Sequence, residues 1–224
     1  MQRRLPLFEI AVGDPADHAA ARLLWEQAAI NTFLDTRQQA LSLFASKGYS
    51  NVGMRELASA LGIKCGSIYN HIESKEALLY ELFEELLGLL QTKAMQIQRN
   101  AEAPKRLRKI IEMHLNLQDR MPCHFQLLER ERRHLSEPWL SQADAHRVRY
   151  EQIIAAAAGA SACSQACTKS IVTLLNQAPA WLPALRLTVS ARLDLVYSMV
   201  ELILTQAVSD STGQRTGGGT VRAS

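Results

Sequence analysis

The densest set of chemistry-bearing side chains lies between Arg55 and Lys75, where Lys64, Cys65, Ser67, Tyr69, Asn70 and His71 crowd around Gly66. These are cations, hydroxyls and an amide rather than a nucleophile set beside a base. Such groups hydrogen-bond to phosphate oxygens and to the edges of nucleic-acid bases. Lys64, Gly66, Ser67 and Asn70 suit base edges. An asparagine amide matches adenine, a lysine donates to guanine, and a glycine lets the backbone come close. Arg55 and His71 suit phosphates, although His71 also reads as a solvated surface residue.

The four cysteines, Cys65, Cys123, Cys163 and Cys167, form no C-x-x-C pair. Cys65 reads either as a thiol switch beside the donor set or as a small turn residue. Cys163 and Cys167 stand i, i+4 on a helix, which suits a metal, a cross-link or two small residues at a helix interface. Cys123-His124 with His114 lacks a zinc spacing. The chain shows no activated nucleophile, metal set or phosphate loop, so no enzyme activity, cofactor or metal is expected.

The elements that must hold these groups are helices. Among 224 residues are 32 Leu and 30 Ala against 9 Val and 12 Ile, with 11 Gly and 7 Pro. Leu and Ala are strong helix formers, and so few turn residues suit neither a sandwich nor a barrel. The expected class is all-α. Ala40, Leu41 and Phe44 fall at helical spacing, and Lys47-Gly48 ends that helix. Met54, Leu57, Ala58 and Leu61 at i, i+3, i+4 and i+7 make a second helix, which Gly62-Ile63 breaks. A third short helix is expected over 66–72 with Ile68 and Ile72 inward. Ser74 reads as the N-cap of a long helix whose ridge is Leu78, Leu82, Leu86 and Leu90. Further helices are expected near 104–119, 122–136, 138–159, 163–178 and 188–208, with Pro122, Pro138, Pro179 and Pro183 as punctuation.

Residues 54–72 together have the physics of a helix-turn-helix. Two short helices must cross steeply, so Ala58 is small where they touch, Gly62 permits the turn and Ile63 plugs the corner. The second helix then offers its outer face to a DNA major groove. From about Gln38 to Leu82 the chain resembles the TetR family of bacterial transcriptional regulators. The likeness rests on Leu43-Phe44-Ala45-Ser46-Lys47-Gly48-Tyr49, Arg55-Glu56-Leu57-Ala58, Leu61-Gly62-Ile63, Gly66-Ser67-Ile68-Tyr69-Asn70-His71-Ile72 and Ser74-Lys75-Glu76-Ala77-Leu78.

The resemblance implies a three-helix DNA-binding domain followed by a larger helical ligand-binding and dimerisation domain. Tyr69 would then donate its hydroxyl to a backbone phosphate. Lys75, opening the long helix, would hold the same phosphate with the helix N-terminus. Departures are Lys64-Cys65 before the recognition helix, Asn70 where arginine is common, Ile72 for phenylalanine, and Thr36-Arg37 in place of two aliphatic residues. The changes at 64, 65 and 70 imply an unusual operator.

The expected organisation is an N-terminal extension over 1–34 with an extra helix at 16–34, a DNA-binding domain with its connecting helix over 35–98, a ligand-binding and dimerisation domain over 99–208, and a disordered tail over 209–224. The net charge of +3 equals that of 36–75 alone, where Arg37, Lys47, Arg55, Lys64 and Lys75 face Glu56 and Glu73. A modest basic footprint of this kind binds tightly only as a dimer. Broad apolar faces at Ile171, Leu174 and Leu175, and from Leu195 to Leu204, suit burial in a homodimer. Leu174-Leu-Asn-Gln-Ala-Pro-Ala-Trp-Leu182 resembles family members that sense acyl-coenzyme A esters. In that reading Phe125, Leu128, Ile153 and Trp181 line an apolar tunnel; otherwise they are core. No secretory or membrane segment is read, so a cytoplasmic protein is expected. Its partners would be a palindromic operator DNA, a small-molecule effector and a second copy of itself. The rivals are a helical ligand-binding or interaction protein without sequence-specific DNA binding, and a redox-sensing regulator acting through Cys65.

Overall fold

The computed structural model describes residues 36–159 and 164–216, and among them there are helices and turns but no strand. The expected extension over 1–34, Cys163 and residues 217–224 lie outside the described residues.

Helix α1 (36–47) buries Ala40, Leu41 and Phe44. It stops at Gly48, whose φ of 82° lies in the left-handed region and whose N–H returns to the Phe44 carbonyl at 2.9 Å. Only glycine adopts such a φ readily. A single 3-10 turn, Tyr49–Asn51, leads to α2 (Met54–Ala60), which buries Leu57 and Ala58. Gly62, at φ 65°, reverses the chain, and the Ile63 N–H closes on the Ala58 carbonyl at 3.0 Å.

The next element differs from expectation. It is a 3-10 helix, Cys65–Asn70, rather than an α-helix over 66–72. So short a segment gains few i→i+4 bonds, and Gly66 with β-branched Ile68 propagates an α-helix poorly. Ile68 and Ile72 nevertheless point inward and are buried. The Ser74 hydroxyl accepts from the Ala77 N–H at 2.9 Å and opens α3 (Lys75–Asn100). At 1.5 Å per residue this helix is about 39 Å long.

After a 3-10 turn at Ala103–Lys105 come α4 (Arg106–Arg120), α5 (Pro122–Glu131), α6 (Trp139–Ala158), α7 (Gln165–Trp181) and α8 (Val189–Thr216). Helix α5 ends earlier than expected and tightens into a 3-10 turn over Arg132–His134. The α8 backbone runs to Thr216. Once nucleated, a helix extends at little cost through residues that merely favour it weakly.

Pro179 was expected to punctuate α7, yet the helix continues to Trp181. A proline forfeits the bond to the carbonyl four residues back, here that of Leu175. The structure supplies a substitute: the buried Gln118 side-chain amide of α4 donates to the Leu175 carbonyl at 2.6 Å.

Helix α3 threads two buried clusters. Leu78, Leu79, Leu82 and Phe83 pack with α1, α2 and Ile68, and that cluster is completed by Leu127, Leu135 and Ala143 from beyond residue 120. Leu86, Leu90 and Ala94 pack with α4, α6, α7 and α8. The apolar faces of α7 and α8 are largely consumed within the chain: Ile171, Leu175, Val196 and Val200 are fully buried, while Leu202 is 67% exposed. No helix among the described residues is long and apolar enough to cross a membrane.

Candidate nucleic-acid interface

The short α2 and the Cys65–Asn70 turn present one polar edge because their apolar residues point the other way. Leu57, Ala58, Ile68 and Ile72 are buried together. That leaves Arg55, Lys64, Cys65, Gly66, Tyr69, Asn70 and His71 exposed, with Ser67 half-buried beside them. Tyr69 is 54% exposed, high for so large a ring. A Cβ built on Gly66 meets nothing within 4 Å, so the fold itself gives no steric reason for glycine there.

Lys75 is placed differently from the expectation that it holds a phosphate. Its ammonium turns inward and donates to the Tyr49 carbonyl at 2.8 Å and the Val52 carbonyl at 2.7 Å. It also sits 4.0 Å over the Tyr49 ring. Burial lowers its pKa, and Glu131 opposes that shift. The lysine pins the Tyr49–Val52 loop between α1 and α2, so its first duty is to shape the reader.

Residues that sequence reasoning did not single out join this reader to the rest of the molecule. The Gln126 amide donates to the Ala45 carbonyl at 2.8 Å. The Ser136 backbone N–H and hydroxyl both donate to Glu76, at 2.5 and 2.7 Å. His134 lies 3.2 Å from the Ser50 hydroxyl and 3.3 Å from Glu131. Arg37, already noted as a departure from the family pattern, donates to the Glu81 carbonyl at 2.6 Å and pairs with Glu85 at 3.2 Å. Helical periodicity carries no signal for contacts made across such sequence separations.

The four candidate ligand residues all sit at the second buried cluster. Phe125 is 2% exposed, and Leu128, Ile153 and Trp181 are half-buried around it. Leu128 lines a cleft of about 200 Å³ between α3, α5, α6 and α7, which Phe125, Ile153 and Trp181 do not line. A wider cleft of about 420 Å³ lies where α4 meets the start of α8, lined by Leu115, Asp119, Leu182 and Leu193. Behind the smaller cleft, His114 is fully buried with its Nδ1 3.0 Å from the Tyr150 hydroxyl. Burial pushes the His114 pKa down to about 3 and raises that of Tyr150. The three described cysteines, Cys65, Cys123 and Cys167, are free thiols; the pairing considered for Cys163 lies outside the described residues.

Two short elements locked by Ala58, Gly62 and Ile68, with a polar edge left in water, define a helix-turn-helix protein. Residues 37–82 match the model for bacterial regulatory proteins of the tetR family. It is 34% identical over 67 residues to the HTH-type transcriptional repressor KstR2 of Mycolicibacterium smegmatis, covering 30% of this chain and 33% of that one. The chain spans about a quarter to a third of the length of the curated relatives it matches. The fold is shared much more widely. AibR, solved in complex with isovaleryl coenzyme A and operator DNA, superposes with a TM-score of 0.65 at 21% identity over 76% of this chain and 97% of that one. FadR from Bacillus subtilis, solved in complex with stearoyl-CoA, gives 0.61 at 20% identity over 77% and 97%.

Proposed function

We propose that this protein is a cytoplasmic, ligand-responsive transcriptional regulator that binds a palindromic operator as a homodimer and releases it when a small molecule occupies the α4–α8 body. The observation that carries the reading is the exposed edge from Lys64 to His71, set on a buried base of Ile68 and Ile72. Lys64, Ser67 and Asn70 meet base edges, and Arg55, Tyr69 and His71 meet phosphates. The open space at Gly66 leaves room for a backbone or base to approach. The placement of Cys65 on the same edge makes it a neighbour of the bound DNA.

Repression is supported by the name of the KstR2 relative, and an acyl-coenzyme A effector by the ligands of AibR and FadR. Release follows if the effector favours a conformer whose two recognition elements are wrongly spaced for successive major grooves. Such a shift has a physical route here, because Gln126, Ser136 and His134 tie α1, α3 and the Tyr49–Asn51 turn to the body. A mobility-shift assay on the promoter beside the protein's own gene tests the reading. A retarded band that disappears with Asn70→Ala supports it. Binding that is equal on promoter and random DNA sinks it in favour of a ligand-binding protein without sequence-specific DNA recognition.

A further inference from the structure

A more basic stretch than the reader lies elsewhere in the chain. Residues 93–109 hold Lys93, Arg99, Lys105, Arg106, Arg108 and Lys109 against Glu102 alone, a net charge of +5, where residues 36–75 carry +3. Lys93 stands on the same helix as Lys75 but about 27 Å further along its axis. Screening at physiological salt limits the reach of an exposed charge to about 8 Å. The stretch therefore adds little to contacts made by the Lys64–His71 edge, and its charge has another cause.

Most of that charge is met within the chain. Lys105 pairs with Glu102 at 2.7 Å, and Arg108 pairs with Asp194 at 2.5 Å. Arg106 donates from Nε to the Ala101 carbonyl at 3.0 Å. Arg99 sits in the last turn of α3, where the helix dipole favours a cation. Lys93 and Lys109 have no ion-pair partner among the described residues. Helix stability does not account for Lys109. It follows Arg106 and Arg108 at the start of α4, which has no acid in its first turn and no side-chain cap, whereas that end of a helix favours anions.

The two lysines line one groove from different helices. The groove lies between the last turns of α3 and the first turns of α4, and its volume is about 270 Å³. Ile97 and Met113 give it an apolar floor, and both pack half-buried on the second cluster, so the core fixes that floor. The Gln96 and Asn100 amides also line it, and no carboxylate does. Glu112, the next acid along α4, lines the wider cleft instead.

These parts suit one kind of molecule. An apolar cavity of about 150 Å³ holds benzene, so this groove has room for a two-ring heterocycle. A thioether packs well on an aromatic ring, and side-chain amides match the edge of adenine. Lysines bind phosphate as point charges. One phosphate would occupy one ammonium, whereas two lysines on separate helices suit a chain of phosphates.

We infer that the α3–α4 groove binds a free purine nucleoside di- or triphosphate, its base over Ile97 and Met113 and its phosphates at Lys93 and Lys109. The site is separate from both clefts described above, and its occupancy does not depend on the operator reading. Calorimetric titration of the full chain with ADP, adenosine, inorganic pyrophosphate and coenzyme A tests it. ADP should bind roughly tenfold tighter than adenosine or pyrophosphate, and added salt should weaken ADP but not adenosine. Lys93→Gln and Lys109→Gln keep most of the stem and remove the charge. Each should weaken ADP about fivefold with the melting temperature preserved, while Lys169→Gln, on exposed α7 surface, leaves its Kd unchanged. Absence of saturable ADP binding, pyrophosphate binding as tight as ADP, an equal loss in Lys169→Gln, or an unchanged Kd in both groove variants overturns the inference. Binding of coenzyme A where ADP fails also overturns it.

Discussion

The Gln118 side-chain amide donates to the main-chain carbonyl of Leu175 at 2.6 Å, across 57 residues of sequence. Leu175 needs that donor because Pro179, one turn further along α7, has none to give. Gln118→Leu should therefore strand a buried carbonyl and cost about 1–3 kcal/mol. In a Pro179→Ala background the restored helical N–H takes over, and the same substitution should cost about 1 kcal/mol less. Urea unfolding of the four variants measures the coupling. Strict additivity would show that the two residues act independently.

His114 makes the fold acid-sensitive. Its folded pKa, near 3, lies below the ordinary histidine value because the ring is buried. The unfolded chain therefore takes up a proton that the folded chain refuses, and stability is full above pH 6.5 and falls as pH drops toward 3. The slope from this one group is about 1.4 kcal/mol per pH unit. His114→Phe keeps the ring packing against Phe125 and Tyr150 but does not titrate. Between pH 6.5 and 4 its unfolding free energy should decline less steeply than that of the parent by about that slope. Parallel curves would show that another group governs the acid limb.

Much of the reader was legible because its signals are local. Gly48 and Gly62 sit at positive φ where the sequence asks for a turn, and Ser74 caps the helix it precedes. The four-residue spacing of Ile68 and Ile72 names the buried side, so the exposed edge follows by elimination. What was not legible is who meets whom. Periodicity shows that Lys75 opens α3, but not that Tyr49 and Val52 turn their carbonyls toward it. It shows an apolar face on α8, but not that Val196 and Val200 are already covered by the chain's own α4 and α7. Pro179 misled for a related reason: the rule that proline ends a helix assumes the freed carbonyl stays unpaired, and a distant glutamine can break that assumption.

Arg55 and Tyr69 separate DNA affinity from folding. Both are exposed, so their truncation should change stability by less than about 0.5 kcal/mol. Arg55→Ala removes one phosphate neutralisation and should flatten the plot of log affinity against log salt by about one unit, uniformly across DNA sequences. Tyr69→Phe removes a hydroxyl without a charge. It should weaken operator binding about three- to tenfold while leaving the salt slope alone. Filter binding at several salt concentrations checks both. An unchanged slope in Arg55→Ala would remove it from the phosphate set.

Lys75 poses the opposite case, since its two carbonyl contacts place its main effect on the fold. Lys75→Met keeps the stem over the Tyr49 ring but deletes the charged donor that two carbonyls share. Hydrogen bonds from a charged group contribute about 1.5–3 kcal/mol, so the unfolding free energy should fall by about 2 kcal/mol. Operator affinity should drop as well, because the Tyr49–Val52 loop that fixes α2 against α1 loosens. The salt dependence distinguishes the causes. A lysine that acts through the loop leaves the salt slope unchanged in the variant, whereas one that neutralises a phosphate lowers it by about one unit. Urea unfolding paired with salt-dependent binding on the same variant therefore assigns the residue: lost stability with an unchanged slope fits the inward ammonium, and lost slope with full stability would restore it to the DNA-contacting set.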